Sequence, residues 1–153
     1  MAKTRTRVSI ASVGKALSRA LGLLARRPYT ERALREKLKA FPEKEVEEAI
    51  QRLREWGYLD DEAFVQSFVA AKKSRYGPHR LRHELLRRGA SEEVIERHLP
   101  KDEEELAYAL LSRHAARYRE DEARAVRFLV GRGFSLSAAL AAFRRLRRGE
   151  GEG

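Results

Sequence analysis

A pattern of six positions repeats in this chain. Leu81, Leu85, Gly89, Ser91, Ile95 and Leu99 return 44 residues later as Ala125, Leu129, Gly133, Ser135, Ala139 and Phe143. Each position keeps its class: apolar, apolar, stop, cap, apolar, apolar. A looser copy begins at Leu34 and Leu38, 47 residues before Leu81 and Leu85, and continues at Val46 and Ile50, 49 before Ile95 and Leu99. The two-residue difference falls in a loop. Apolar positions four apart lie on one face of an α-helix. A short helical unit of this kind cannot bury its apolar face alone, so its copies stack on one another. The expected fold is all-α: tandem three-helix repeats, about nine helices, in an elongated array.

Stop and start signals divide the chain accordingly. Val46, Ala49, Ile50 and Leu53 form one helical stripe; Leu136, Ala139, Leu140 and Phe143 form another; Phe64, Val65 and Phe68 form a third. No stretch alternates with period two, so a sheet has little support. Thr30 predicts a capped helix through Lys39, its hydroxyl accepting an orphan backbone N–H. Pro42 opens the next helix and Gly57 closes it. Asp60 caps a helix carrying Phe64 and Phe68; Gly77 then Pro78 ends it and begins another. Gly89 with Ser91, and Gly133 with Ser135, are further stop–start pairs, and Asp102 with Glu105 reads as a capping box. The expected organisation is a flexible basic stretch at 1–12, repeats at 13–58, 59–100 and 101–148, and a flexible tail at 149–153.

Composition narrows the class. The 153 residues are 42% apolar, which permits a core, and 37% charged, with 33 basic against 23 acidic side chains and a net charge of +10. With no cysteine there is no disulfide and no thiolate chemistry. No apolar run approaches the roughly 18 residues of a membrane span, and no secretory stretch follows the basic start, so a soluble cytoplasmic protein is expected. Arginine supplies 25 of the basic residues and lysine 8. Guanidinium suits paired contacts with carboxylate or phosphate, and a GC-rich genome accounts for the bias equally well. The absence of Asn and Cys, with two Gln and one Met, hints at a thermophile.

The charge is laid down in blocks. Residues 1–39 carry +9, 43–62 carry −5, 72–88 carry +6, 92–105 carry −5 and 117–148 carry +6. In stacked repeats, equivalent basic segments can line one surface and suit a large anionic partner. The other reading is internal: acidic helices pair with their basic neighbours and serve stability alone. The best binding segment is Lys72–Arg88, with Lys72, Lys73 and Arg75 closing one helix and Arg80, Arg82, Arg87 and Arg88 on the next. Tyr76 lies between them, either to stack on a base or guanidinium or as a half-buried residue at a helix end. The other basic blocks contribute Arg26, Arg27, Arg32, Arg35, Arg124 and Arg127 as further contacts for a protein partner or nucleic acid.

Catalytic patterns are lacking. His79 and His83 are four apart, but Arg87 stands where a zinc-protease helix would need its second His. Asp60 and Asp61 are adjacent and so point about 100° apart on a helix, and helix capping explains them better. Gly131-Arg132-Gly133 follows no strand and precedes no Gly-Lys-Ser/Thr, so it is no phosphate loop. No enzyme, metal or cofactor is expected. A monomer is expected, since no long apolar stripe is left for a second chain.

These residues together resemble the RecX regulatory proteins, which modulate the RecA recombinase. The resemblance runs from Leu23-Leu24-Ala25-Arg26-Arg27 through Thr30, Leu34 and Leu38. It continues with Gly57-Tyr58-Leu59-Asp60-Asp61 and Phe64, its most specific element, then Gly77, Leu81, Glu84-Leu85 and Gly89. It covers roughly residues 16–100. Ala33 departs from an acidic position of the family and Ala90 from a branched apolar one, with consequences for local packing. The resemblance implies three-helix repeats in a curved array and a non-enzymatic protein bound along the groove of the RecA–DNA filament. There it would restrain ATP hydrolysis and strand exchange, or promote disassembly. Contact with single- or double-stranded DNA is a further implication. It transfers no binding residue, so the candidates above rest on charge.

Overall fold

The computed structural model describes the backbone of residues 2–152 and the side chains of 14–149. The flexible ends expected at 1–12 and 149–153 fall mostly outside the residues with described side chains. Among the described residues there are ten α-helices and no strand: α1 (Ala2–Arg26), α2 (Glu31–Lys37), α3 (Glu43–Glu55), α4 (Asp61–Lys72), α5 (Pro78–Arg87), α6 (Glu92–His98), α7 (Glu103–Ser112), α8 (Ala115–Tyr118), α9 (Glu122–Gly131) and α10 (Leu136–Glu152).

The chain forms two compact units. The first is Met1–Phe64 with Arg87–Ser91. Here α3 packs along α1, and the stripe read from sequence, Val46, Ala49, Ile50 and Leu53, is buried throughout. Val46, Ile50 and Leu53 join Ala20, Tyr29, Leu34, Leu38 and Leu59 in a core, and Ala49 packs with Ala16. The second unit is Val65–Leu86 with Glu92–Gly153. Here α10 packs against α7 and α9, and Leu110, Leu111, Leu129, Phe134, Phe143 and Leu146 form the core. Val65, Phe68, Leu81, Leu85 and Ile95 are buried as well.

Most punctuation works as the chemistry demands. Thr30 accepts from the Ala33 N–H at 3.2 Å, Asp60 from Ala63 at 3.0 Å and the Ser135 hydroxyl from Ala138 at 3.1 Å. Asp121, which the sequence reading did not single out, accepts from Arg124 at 3.1 Å and starts α9. Two expectations are corrected. Asp102 makes no capping hydrogen bond, its ψ of 49° lying outside the extended conformation usual for an N-cap, and the carboxylates of α7 that could complete the box are engaged elsewhere. Glu105 takes a bond from Arg145 at 2.7 Å, and Glu103 takes one from the Ser135 N–H at 2.7 Å. Leu136 is 60% exposed and leaves the stripe assigned to it. Residues on either side of the expected line, Ala138, Ala142 and Leu146, carry the buried face with Ala139 and Phe143.

The repeat has a structural signature that its spacing alone does not convey: one joint is built twice. Gly89 and Gly133 have φ of +97° and +100°, values that L-residues with a Cβ avoid. In the first unit, the Arg32 stem lies where a Cβ on Gly89 would be, 2.7 Å away, and the Thr30 hydroxyl donates to the Arg88 carbonyl. This is why residues 87–91 belong to the first unit. In the second unit, the Arg80 Cβ lies 2.4 Å from where a Cβ on Gly133 would be. The Gly77 and His79 N–H groups donate to the Arg132 and Gly133 carbonyls at 2.8 and 3.0 Å. In both cases a helix end of one repeat is laid, backbone first, on the opening turn of the preceding one.

Candidate functional site

Each joint collects cations around a tyrosine. In the first unit, α1 ends at Arg26, and the next residue, Arg27, sets its guanidinium over the Tyr29 ring at 4.4 Å. Tyr29 is 8% exposed, so its ring is a floor for Arg27 and has no free face for a base. Arg27, Arg32, Lys37, Arg87 and Arg88 line a cleft of about 370 Å³ beside it. The carboxylate in that cleft, Glu36, is bonded by Lys39 at 2.7 Å.

In the second unit the centre is Tyr76. Arg80, Arg132, Arg75 and Lys72 stand 4.3, 5.5, 5.8 and 6.0 Å from its ring centroid. Tyr76 is half-buried at the turn after α4. It therefore meets both descriptions given from sequence, a residue closing a helix and a platform for guanidinium. The arginines are held by backbone as well: Arg132 donates to the Arg75 carbonyl at 3.4 Å, and Arg113 donates to the Ser74 carbonyl. Among the described residues the carboxylate beside this cluster is Glu84, 3.5 Å from Arg80. Four positive groups around one ring repel one another; the ring face offsets part of that, and an arriving anion would offset more.

The structure sorts the sequence candidates. Arg27, Arg32, Arg87 and Arg88 meet in the first joint; Lys72, Arg75, Tyr76 and Arg80 meet in the second. Arg35 is drawn inward by charge: it bonds Glu31 and Glu47, each at 3.1 Å. The hydrogen bond to Glu47, reinforced by Glu31, raises the Arg35 pKa above its ordinary value, and the same bond lowers that of Glu47. Arg82 bonds Glu92 at 2.9 Å and pairs with Glu96. For these two arginines the internal reading of the charge blocks holds. Arg26, Lys73, Arg124 and Arg127 are exposed and lie outside both joints. Sequence reasoning missed Lys37, Tyr29 and Arg132. Arg132 could have been found by the 44-residue offset from Arg88. No helix among the described residues is long and apolar enough to cross a membrane. No group of three His, Cys, Asp or Glu among them could hold a metal ion.

Comparison with known proteins fits this architecture. The first three-helix domain of RecX matches residues 16–53 and the second matches 60–99. The "Regulatory protein RecX" of Thermus thermophilus is 54% identical over 140 residues, covering 91% of this chain and 96% of the relative. The chain belongs to the RecX family. A RecX protein of Shigella boydii is 34% identical over 140 residues, covering 77% of this chain and 83% of its own. Two RecX crystal structures share the fold. That from Lactobacillus salivarius superposes with a TM-score of 0.77 at 21% identity, over 89% of this chain and 97% of its own. The other, titled a regulatory protein RecX, gives 0.68 at 31% identity, over 83% and 70%. The two matched domains are separated in sequence by residues 54–59, the end of α3 and the turn ahead of α4. RecX membership makes this a regulatory protein, consistent with modulation of RecA.

Proposed function

We propose that this chain binds RecA and the RecA–DNA filament and inhibits its ATPase, recombinase and strand-exchange activities. The observation that supports this most is the twice-built basic joint. Two cation clusters, one lining the cleft beside Tyr29 and one around Tyr76 with Arg132 tied to the Arg75 carbonyl, concentrate positive charge that an anionic partner would compensate. Several weak contacts along a polymer add by avidity, because each later contact is intramolecular. A protein seated so in the filament groove blocks the conformational cycling that hydrolysis requires and obstructs a second DNA strand. The working unit in this reading is a cytoplasmic monomer of three repeats, 13–58, 59–100 and 101–148, with no cofactor and no catalytic step. The alternative is sequence-nonspecific nucleic-acid binding without RecA.

One assay separates the two. RecA ATPase on single-stranded DNA is titrated with the native chain and with a variant in which Lys72, Arg75, Arg80 and Arg132 are replaced by Gln. The expected result is saturable inhibition by the native chain and at least tenfold weaker inhibition by the variant. Inhibition that disappears at saturating DNA would favour the alternative. Unchanged turnover with the native chain would end the proposal.

A further inference from the structure

The exposed aromatic residues of the first unit have no part in the basic joints. Trp56 is 50% exposed and Tyr58 57%. They stand edge to face, ring centroids 6.4 Å apart and planes at 87°, on the turn that ends α3. The turn is rigid for local reasons. Gly57 takes φ of +79°. The Gly57 N–H donates to the Arg54 carbonyl at 3.0 Å, and the Tyr58 and Leu59 N–H groups donate to the Leu53 carbonyl at 2.8 and 3.2 Å. Leu59, next in the chain, is buried and pins the turn to the core. A Cβ on Gly57 would meet nothing within 4 Å, so the turn projects into open space. Fold stability asks for Leu59 in this turn and gives no reason for two large aromatic side chains beside it.

The surrounding charge says what would cover them. Residues 55–62 read Glu-Trp-Gly-Tyr-Leu-Asp-Asp-Glu, four carboxylates and no cation; Arg54, just before them, is taken up by Glu31 at 2.7 Å. Asp60 and Asp61 stay on the protein, capping Ala63 and accepting from the Glu31 N–H at 2.9 Å. This collar repels nucleic-acid phosphate. It favours a protein surface carrying Lys or Arg, and the electron-rich face of Trp adds attraction for the same cations. Exposed Trp and Tyr on a rigid scaffold are also the side chains that most often anchor protein interfaces.

We infer that the Trp56–Tyr58 turn is a protein-docking knob that inserts into an apolar recess rimmed by Lys or Arg. Resting on the function proposed above, that recess belongs to a RecA protomer, and the basic joints are left to contact DNA. The test uses the full chain and RecA assembled on single-stranded DNA. A Trp56→Ala/Tyr58→Ala variant binds the filament at least tenfold more weakly, while its affinity for naked single-stranded DNA and its melting temperature stay as in the native chain. A Trp56→Phe/Tyr58→Phe variant recovers most of the loss. Trp56 is the single tryptophan, so 5-fluorotryptophan incorporation gives one ¹⁹F signal, which shifts when filament is added. Equal filament binding by the Ala variant, with native binding intact, overturns the knob and leaves the proposed function standing. A native chain that ignores the filament overturns both. Parallel loss of naked-DNA binding would make the occupant a nucleobase and overturn the protein assignment.

Discussion

At Gly133 a methyl group has nowhere to go. Its Cβ would come within 2.4 Å of the Arg80 Cβ and 2.7 Å of the Arg80 backbone nitrogen, at φ of +100°. The left-handed conformation alone costs a residue with a Cβ about 1–2 kcal/mol, and the clash with backbone adds to it. Gly131, two residues away and last in α9, has open space where its Cβ would be and an ordinary φ. Gly133→Ala is therefore expected to lower the melting temperature by at least about 2–4 °C, the shift expected of 1 kcal/mol in a domain of this size. Gly131→Ala should leave it unchanged or raise it, since Ala is the better helix former. Paired thermal melts by circular dichroism check both. The sequence marked Gly133 as a stop through its place in the repeat. It did not mark Arg80 as what fills the missing side chain's space, since that contact spans 53 positions and leaves no local trace.

Among the elements, helix starts were readable where a long-range partner leaves the capping oxygen free to accept, and misread where it takes a carboxylate that the capping pattern needs. Thr30, Asp60 and Ser135 cap as expected because nothing stronger claims their oxygens' capping role. Asp102 and Glu105 have the spacing of a capping box, yet Arg145 of α10 captures Glu105. The short α8 was invisible, one turn between α7 and α9 with no cap bond of its own. Ion pairs between elements carry a prediction. Arg35 of α2 bonds Glu47 of α3, and this bond holds the Glu47 carboxyl below its ordinary value near 4.3. A carboxyl lowered by folding contributes stability above its unfolded pKa and loses it as pH falls through the folded one. The native chain should thus exceed Glu47→Gln in melting temperature at neutral pH. The gap should close as pH is taken below about 4, within the range where this carboxylate protonates. Melts of both proteins from neutral to acid pH test it; a gap constant with pH would place the effect elsewhere than in this ion pair.

Over the whole molecule, the alternating charge blocks could be counted in the sequence but not divided into paired and unpaired cations. That division depends on which carboxylate a long arginine can reach, and it decides the salt response. Arg35 and Arg82 already hold carboxylates, so binding a phosphate would require each to give one up. Lys72, Arg75 and Arg132 surround Tyr76 with no carboxylate bonded to them among the described residues, and Arg80 has a partner there only at 3.5 Å. On single strands each neutralised phosphate contributes about 0.7 to the fall of log K with log salt. If all four cations of the second joint meet phosphates, changing them to Gln flattens that slope by about 3. Changing Arg35 and Arg82 to Gln should flatten it by well under 1, though it weakens the helix contacts they tie. Anisotropy titrations of a labelled oligothymidine between about 50 and 200 mM salt measure both slopes over the range where such losses are large. Equal flattening per residue replaced, about 1.4 for the pair against about 3 for the four, would mean that net charge alone governs binding, and the joints would then lose their special standing as contact sites.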